Sequence, residues 1–249
     1  LHMMANYPLY WMANSGDPYL TAEEAAKLYT DAMEPYNGDI FMVGAFIGFF
    51  IATFLLGIKL PVPPSMIFVA TILLSMMLTA GVGVTLERIA YRPLRRKGTN
   101  RLYVVITALM CGLILENGNL ALPGASRRGF PSMIQKVTYT VGGVTFTNTK
   151  IMVIITAILA FFLLEAIVRK TKIGMAMRAI SYDRVAVPLM GIPIDTIIVF
   201  TFILGSSMAA LAGVLYVTTY PVLEPYMGAL IGWKAFIAAV VGGIGEIRG

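Results

Sequence analysis

Apolar stretches about twenty residues long recur along the chain, and short polar stretches separate them. A helix rises ~1.5 Å per residue and the hydrocarbon core of a bilayer is ~30 Å thick, so a helix of this length crosses it. Backbone groups in lipid must hydrogen-bond within their own segment, so the stretches are predicted to be helices. The fold class is therefore an all-α polytopic transmembrane helical bundle with six spans, at 40–58, 66–86, 102–122, 151–168, 196–220 and 226–244.

The basic residues are concentrated in two of the loops between these spans. The loops after the second and fourth spans hold Arg88, Arg92, Arg95, Arg96, Lys97, Arg101, Arg169, Lys170, Lys172, Arg178 and Arg184. The loops on the other side hold only Lys59, Arg127, Arg128, Lys136 and Lys150. Cytoplasmic loops carry an excess of Lys and Arg, so the two dense loops are predicted to face the cytoplasm. The loop at 123–149 is then external, and its segment VTYTVGGVTFTN predicts a small hairpin.

The composition agrees with a membrane protein. Of the 249 residues, 58% are hydrophobic and only 13% are charged, whereas about a quarter of the residues in a soluble domain are charged. The formal net charge is +6, but the basic residues lie in loops between apolar runs, which indicates membrane orientation and not nucleic-acid binding. The single cysteine, Cys111, and the single histidine, His2, give no basis for a metal site or a bound cofactor.

The first 38 residues differ from the rest of the chain. They hold five acids but only one lysine, Lys27. Residues 1–38 are therefore predicted to form an acidic non-spanning segment, and residues 39–249 the transmembrane domain. Within the first segment, Thr21 followed by Glu24 fits a capping box and predicts a short helix over 21–33.

A few polar residues lie inside the predicted spans, where charge is costly and usually faces the protein interior. Glu116 lies in the third span with Asn117 and Asn119 beside it, and Lys234 lies in the glycine-rich last segment. These residues either form a structural hydrogen-bonded cluster or line a path for substrate. Glu165, near the end of the fourth span, is predicted either to extend its carboxylate toward the membrane surface or to pair with Arg169 one helical turn on.

The motifs of several enzyme classes are missing from the sequence. It contains no GxxxxGK[ST] phosphate-binding loop, and no HExxH, GxSxG or CxxC motif. Transport, channel conduction and scaffolding remain as function classes. An ion-coupled secondary transporter and a non-conducting structural subunit are both alternatives at this point.

The stretch IGMAMRAISYDRVAVPLMGI at 173–192 is too polar to span a membrane and too apolar for a solvated linker. It predicts a short helix between two spans, with an apolar face for a protein partner. It also resembles the cytoplasmic loop of the branched-chain amino acid ABC transporter permease family. The resemblance rests on Gly174, Arg178, Ala179, Asp183, Ala186, Gly191 and Ile192.

Further segments resemble the same family in the same order. They are GDIFMVGAF at 38–46, ERIAYRPLRRK at 87–97, AGVLY at 212–216 and GWKAFIAAVVGGIG at 232–245. The resemblance covers residues 38–249. Relative to the family, the transmembrane domain is expected to be incomplete at its C-terminal end.

The resemblance implies an ABC importer permease fold and a division of labour among several chains. Two permease subunits form the pore, separate ATPase subunits dock on the cytoplasmic loops, and an external substrate-binding protein delivers the solute. ATP hydrolysis then belongs to a partner chain, and the substrates are amino acids, with branched-chain ones implied. The loop at 169–195 is the expected coupling element, and Glu116, Asn117, Asn119 and Lys234 are candidates for the translocation path.

Overall fold

The computed structural model describes residues 22–58, 63–96, 101–121, 124, 126–131, 133, 138–141, 144–182 and 186–242. Helices account for most of this part of the chain. They are α1 (Ala22–Gly57), α2 (Pro64–Leu86), a π-helical segment (Glu87–Tyr91), α3 (Arg92–Arg96), α4 (Arg101–Ala121), α5 (Asn148–Lys170), α6 (Lys172–Tyr182), α7 (Ala186–Leu189), α8 (Ile194–Thr219) and α9 (Met227–Gly242). The short strands are β1 (Arg128–Gly129), β2 (Thr138–Val141), β3 (Val144–Thr147) and β4 (Val222–Leu223). The predicted all-α bundle is confirmed.

Four segments of the described chain are long and apolar enough to cross a bilayer, and they coincide with four of the predicted spans. They are Gly38–Gly57, Pro64–Leu94, Asn148–Lys170 and Ile194–Thr219. The third predicted span corresponds to α4, in which Ile106–Ala121 is a shorter apolar helix. The sixth corresponds to α9, and the GGIG segment that follows Val241 lies largely outside the described residues.

The first helix is longer than the sequence predicts. It begins at Ala22, next to the predicted cap at Thr21, but it does not end near Met33. The backbone stays helical through Pro35, so a residue that usually breaks a helix interior does not end this one. The helix over 21–33 was therefore predicted too short. Whether residues 1–38 form a separate segment stays a prediction.

Helix α1 is central to the packing and contacts α2, α4, α8 and α9. It meets α8 over a short stretch: the ring of Phe41 lies 5.7 Å from that of Tyr216, and Gly44 lies against Ala210. A third close contact lies between Gly48 of α1 and Val214 of α8. The Ser75 hydroxyl of α2 donates to the Gly44 carbonyl at 2.8 Å and is fully buried. This bond satisfies a polar group in an apolar core.

The outer surface is apolar where the chain faces lipid. In α5 only 17% of the most apolar 18-residue stretch is buried. Its exposed side chains include Ile154, Ile155, Leu159 and Phe162. Such a surface would aggregate in water but is the expected surface in a bilayer.

Loops that were predicted to lie on the same side of the membrane come together in the fold. At one end, Arg92 after the second span lies 3.4 Å from Asp195 at the beginning of α8. At the other end, β1 pairs antiparallel with β4, and Arg127 lies 3.0 Å from Glu224. We call these the basic end and the strand end. The predicted hairpin at 138–147 is confirmed by the antiparallel pairing of β2 with β3.

Candidate functional site

The sharp turn between α5 and α6 depends on a glycine. The Thr171 hydroxyl donates to the Ile167 carbonyl at 2.5 Å and accepts the backbone N–H of Gly174 at 3.0 Å. A Cβ atom on Gly174 would lie 2.5 Å from the Ile167 oxygen and closer still to the oxygen of Val168. Both are backbone atoms at a helix end, which have little room to move. Only glycine fits here, and it sets the direction in which α6 leaves α5.

Arg178 makes a second link between these helices. Its side chain is exposed, yet its Nη2 donates to the carbonyl of Arg169 at 3.3 Å. The last carbonyls of a helix lack partners within the helix, and a cation beside them also interacts favourably with the helix dipole. Arg178 therefore helps to fix α6 on the end of α5. The predicted pair of Glu165 with Arg169 is also present, at 3.2 Å.

The apolar face of α6 packs inside the chain. Ala176, Met177 and Ile180 are buried in one cluster with Tyr91 of the π-helical segment and Phe202 of α8. The expectation that this face is free for a partner protein is therefore wrong. Helical periodicity locates the face correctly, but the side chains that cover it come from distant parts of the chain.

Two large apolar side chains at the end of α7 remain exposed. Leu189 is 85% exposed and Met190 is 78% exposed, whereas Val187 beside them is buried and anchors the turn. Gly191 closes the turn at a φ of 76°, and its N–H donates to the Pro188 carbonyl at 2.9 Å. This Leu189–Met190 tip belongs to the basic end, and it was not singled out by the sequence pattern. The sequence feature that could have identified the tip is a pair of large apolar residues directly before a glycine.

The structure says less about the remaining residues of the predicted docking motif. Ala179 is half-buried on α6, and Ala186 is the first residue of α7. Asp183 lies outside the described residues. The docking role of the motif as a whole stays a prediction.

A second region lies where α1, α4 and α9 meet. Gly38 of α1 lies directly against Gly228 of α9: a Cβ on Gly228 would be 2.8 Å from the Gly38 oxygen and 3.2 Å from Oδ1 of Asp39. Gly232 lies one turn further along α9, and its Cα would be 3.3 Å from a Cβ on Gly38.

Asp39 is the most unusual residue of the junction. It carries a carboxyl group at the start of an apolar span, yet it is only 3% exposed. The sequence analysis treated Asp39 only as the boundary of the first span. The available signal was an acid directly after Gly38 at the beginning of an apolar run.

The four predicted path residues do not all come together. Glu116 and Asn119 are half-buried on α4, and the amide nitrogen of Asn119 is buried without a hydrogen-bond partner among the described residues. Asn117 is exposed, and its amide donates back to the Leu113 carbonyl at 2.7 Å. Lys234 is exposed on α9. Glu116 and Asn119 are thus partly buried, whereas Asn117 and Lys234 are exposed.

Comparisons with known proteins cover most of the chain. A family described as branched-chain amino acid transport system / permease component matches residues 37–249. The high-affinity branched-chain amino acid transport system permease protein BraD of Pseudomonas aeruginosa is 34% identical over 217 residues, which are 86% of this chain and 70% of that protein. The corresponding permease protein LivH is 33% identical over 219 residues in Salmonella typhimurium and over 220 residues in Escherichia coli K12, with the same shares covered. No solved structure matches the chain.

Proposed function

Because the chain belongs to the family of permease components of branched-chain amino acid transport systems, we propose that it is a membrane-spanning subunit of an ATP-driven importer of branched-chain amino acids. A permease component is a multi-pass transport subunit of the plasma membrane and not the ATP-hydrolysing part of its system. The observation that carries the proposal is the family match over residues 37–249. The meeting of both basic loops at one end of the bundle supports it.

The proposed partners are ATPase subunits, a sister permease subunit and an external substrate-binding protein. The ATPase docks at the basic end, where the Leu189–Met190 tip offers the most exposed large apolar side chains of the described chain outside the long apolar helices. Exposed apolar side chains rimmed by charge are typical of a protein contact. In this proposal, Arg92 and Arg178, which belong to the two basic loops, supply part of that rim.

A movement of the Leu189–Met190 tip can be transmitted to the helices of the bundle through side chains that pack together. Val187 anchors the tip in the same buried cluster that holds Met177 and Ile180 of α6, and this cluster continues to Phe202 of α8. Helices that share a close-packed cluster move together, so displacing the tip displaces α6 and α8. An ATPase that grips the tip differently in its nucleotide states thereby biases the bundle between two arrangements.

The proposed substrate path passes the junction of α1, α4 and α9. Glu116 and Asn119, which are half-buried on α4, supply polar groups along this path. Helices that meet through glycine backbones can separate without disengaging large side chains. Asn117 and Lys234 remain path candidates from the sequence, with less support from their positions.

The test is transport by the reconstituted system. The chain is purified from its native membrane in mild detergent with whatever subunits remain bound, and the complex is reconstituted into liposomes with ATP inside or outside. We expect a co-purifying ATPase and uptake of radiolabelled L-leucine that requires ATP on the side of the basic end. Uptake that is independent of ATP and abolished by an ionophore would instead support the ion-coupled alternative.

A further inference from the structure

The lipid-facing side of α5 ends in positive charge. Ile155, Leu159 and Leu163 are more than half exposed on this helix. They follow one another at intervals of four residues, so they lie on one face, and Lys170 lies on the same face two turns after Leu163. Lys170 is exposed and is the last residue of α5. A surface in contact with acyl chains therefore leads directly to a cation at the end of the span.

The length of α5 brings this cation to the depth of the lipid headgroups. Lys150, which is exposed in the first turn of α5, and Lys170 in its last turn are twenty residues apart in the sequence. That separation is ~30 Å along a helix axis and equals the thickness of the hydrocarbon core, so the two lysines reach opposite headgroup layers. Lys170 belongs to the basic end, which the excess of Lys and Arg marks as cytoplasmic.

More positive charge is gathered at the turn between α5 and α6. Lys172 is exposed and begins α6. Arg169 is also exposed, and the Nη2 of Arg178 reaches its carbonyl at 3.3 Å, which brings a further cation to the end of α5. The single acid in the sequence of the two helices is Glu165, which lies 3.2 Å from Arg169. Four cations thus stand against one acid, and a bound anion would relieve the repulsion among them.

We propose that Lys170 and Lys172, with Arg169 beside them, bind the phosphate group of an anionic phospholipid in the cytoplasmic leaflet. Lys and Arg are the side chains that bind phosphate groups, and clusters of about four or more directly beyond a span are typical of contacts with anionic lipid. The acyl chains of such a lipid lie along the exposed apolar face of α5, which a soluble anion could not use. This inference goes beyond the proposed transport function and does not depend on which solute is carried.

Fluorescence quenching measures the lipid preference at this position. In a Cys111→Ala background, Leu163→Cys is labelled with bimane, and the purified complex is reconstituted into phosphatidylcholine vesicles that contain either brominated phosphatidylglycerol or brominated phosphatidylcholine. We expect phosphatidylglycerol to be preferred, and the preference to fall roughly tenfold or more in Lys170→Gln with Lys172→Gln, because each basic residue beside anionic lipid contributes about fivefold. The matched control is Lys150→Gln, which removes an exposed lysine at the other end of α5 and should leave the preference unchanged.

Salt keeps the inference testable if the glutamine variants do not assemble. Raising the salt concentration should weaken the preference of the labelled chain that retains all its lysines, since salt screens contacts between exposed charges. Lys170→Arg with Lys172→Arg keeps both charges and should keep the preference. Equal quenching by the two brominated lipids in the labelled chain would overturn the inference, and so would a preference that neither salt nor the glutamine variants change. Glutamine variants that keep the lipid preference but lose the ATPase would show that the patch is a protein contact and that the lipid site is wrong.

Discussion

The Arg92 guanidinium lies 3.4 Å from the Asp195 carboxylate and so joins the end of the second membrane-spanning segment to the beginning of α8. The two residues are 103 positions apart in the chain. Each comes from one of the two basic loops, so the pair shows that both loops emerge at one end of the bundle. The side chains are 36% and 40% exposed, which marks a water-accessible site.

Exchanging the charges of this pair tests its contribution. Arg92→Asp places two acids side by side and is expected to lower the stability of the detergent-solubilised complex slightly, by about 1 kcal/mol or less, because the pair is partly solvated. The double variant Arg92→Asp with Asp195→Arg should recover most of the loss. Thermal unfolding measured at low and high salt reports both effects. A double variant no better than the single one would show that the pair does not contribute as a pair.

The turn between α5 and α6 gives a sharper prediction. Gly174→Ala forces a methyl group against the carbonyls of Ile167 and Val168, and the free energy of unfolding is expected to fall by about 2 kcal/mol or more. Gly81→Ala is the matched control, since Gly81 is also helical and a Cβ there meets nothing within 4 Å. It should be neutral or stabilising by up to about 1 kcal/mol. Equal melting temperatures for both variants would mean that the turn is not as tight as described.

The exposed tip is predicted to hold the ATPase. Leu189→Asp and Met190→Asp should abolish co-purification of the ATPase and ATP-driven uptake while the chain still inserts, because both side chains are outside the core. Leu189→Met keeps an apolar side chain at the tip and should bind normally. Retention of the ATPase by both aspartate variants would place the docking surface elsewhere.

Substitutions of Arg178 test whether the link between α6 and the end of α5 is needed to couple ATP hydrolysis to uptake. Because Arg178 donates to the Arg169 carbonyl, Arg178→Glu places a negative charge at the negative end of α5 and should uncouple ATP hydrolysis from uptake. Arg178→Lys retains the positive charge and should keep most of the coupling. The ratio of leucine transported to ATP hydrolysed is the readout. The same uncoupling is expected for Asp183→Lys, on the basis of the sequence motif alone. An unchanged ratio in Arg178→Glu would contradict the proposed role of this residue.

Local patterns predicted the spans and the hairpin well because both depend on neighbours in the sequence. The apolar run of residues 151–168 and the alternation around Val141 need no distant contact to be recognised. The length of α1 was harder to predict, because the helix continues through Pro35, a residue that usually breaks a helix interior.

The surroundings of the α5–α6 turn and of Asp39 were only partly predictable, because they depend on distant parts of the chain. The loop motif drew attention to Gly174 and Arg178, but which face of α6 is covered depends on Tyr91 and Phe202, far away in the sequence. Asp39 was missed because an acid at the edge of an apolar run normally marks the end of a span. Gly228 of α9 lies beside it, and no local pattern carries the information that a residue so far along the chain packs there.

The most direct measurement is cross-linking from the tip. In a Cys111→Ala background, Met190→Cys carries a thiol-specific photo-cross-linker in the assembled transporter, and Arg127→Cys at the strand end serves as the matched control. We expect an adduct with the ATPase from position 190, with a yield that changes when ATP is added, and none from position 127. Absence of an ATPase adduct at 190, or labelling of that thiol by impermeant reagents from outside intact cells, would contradict the account.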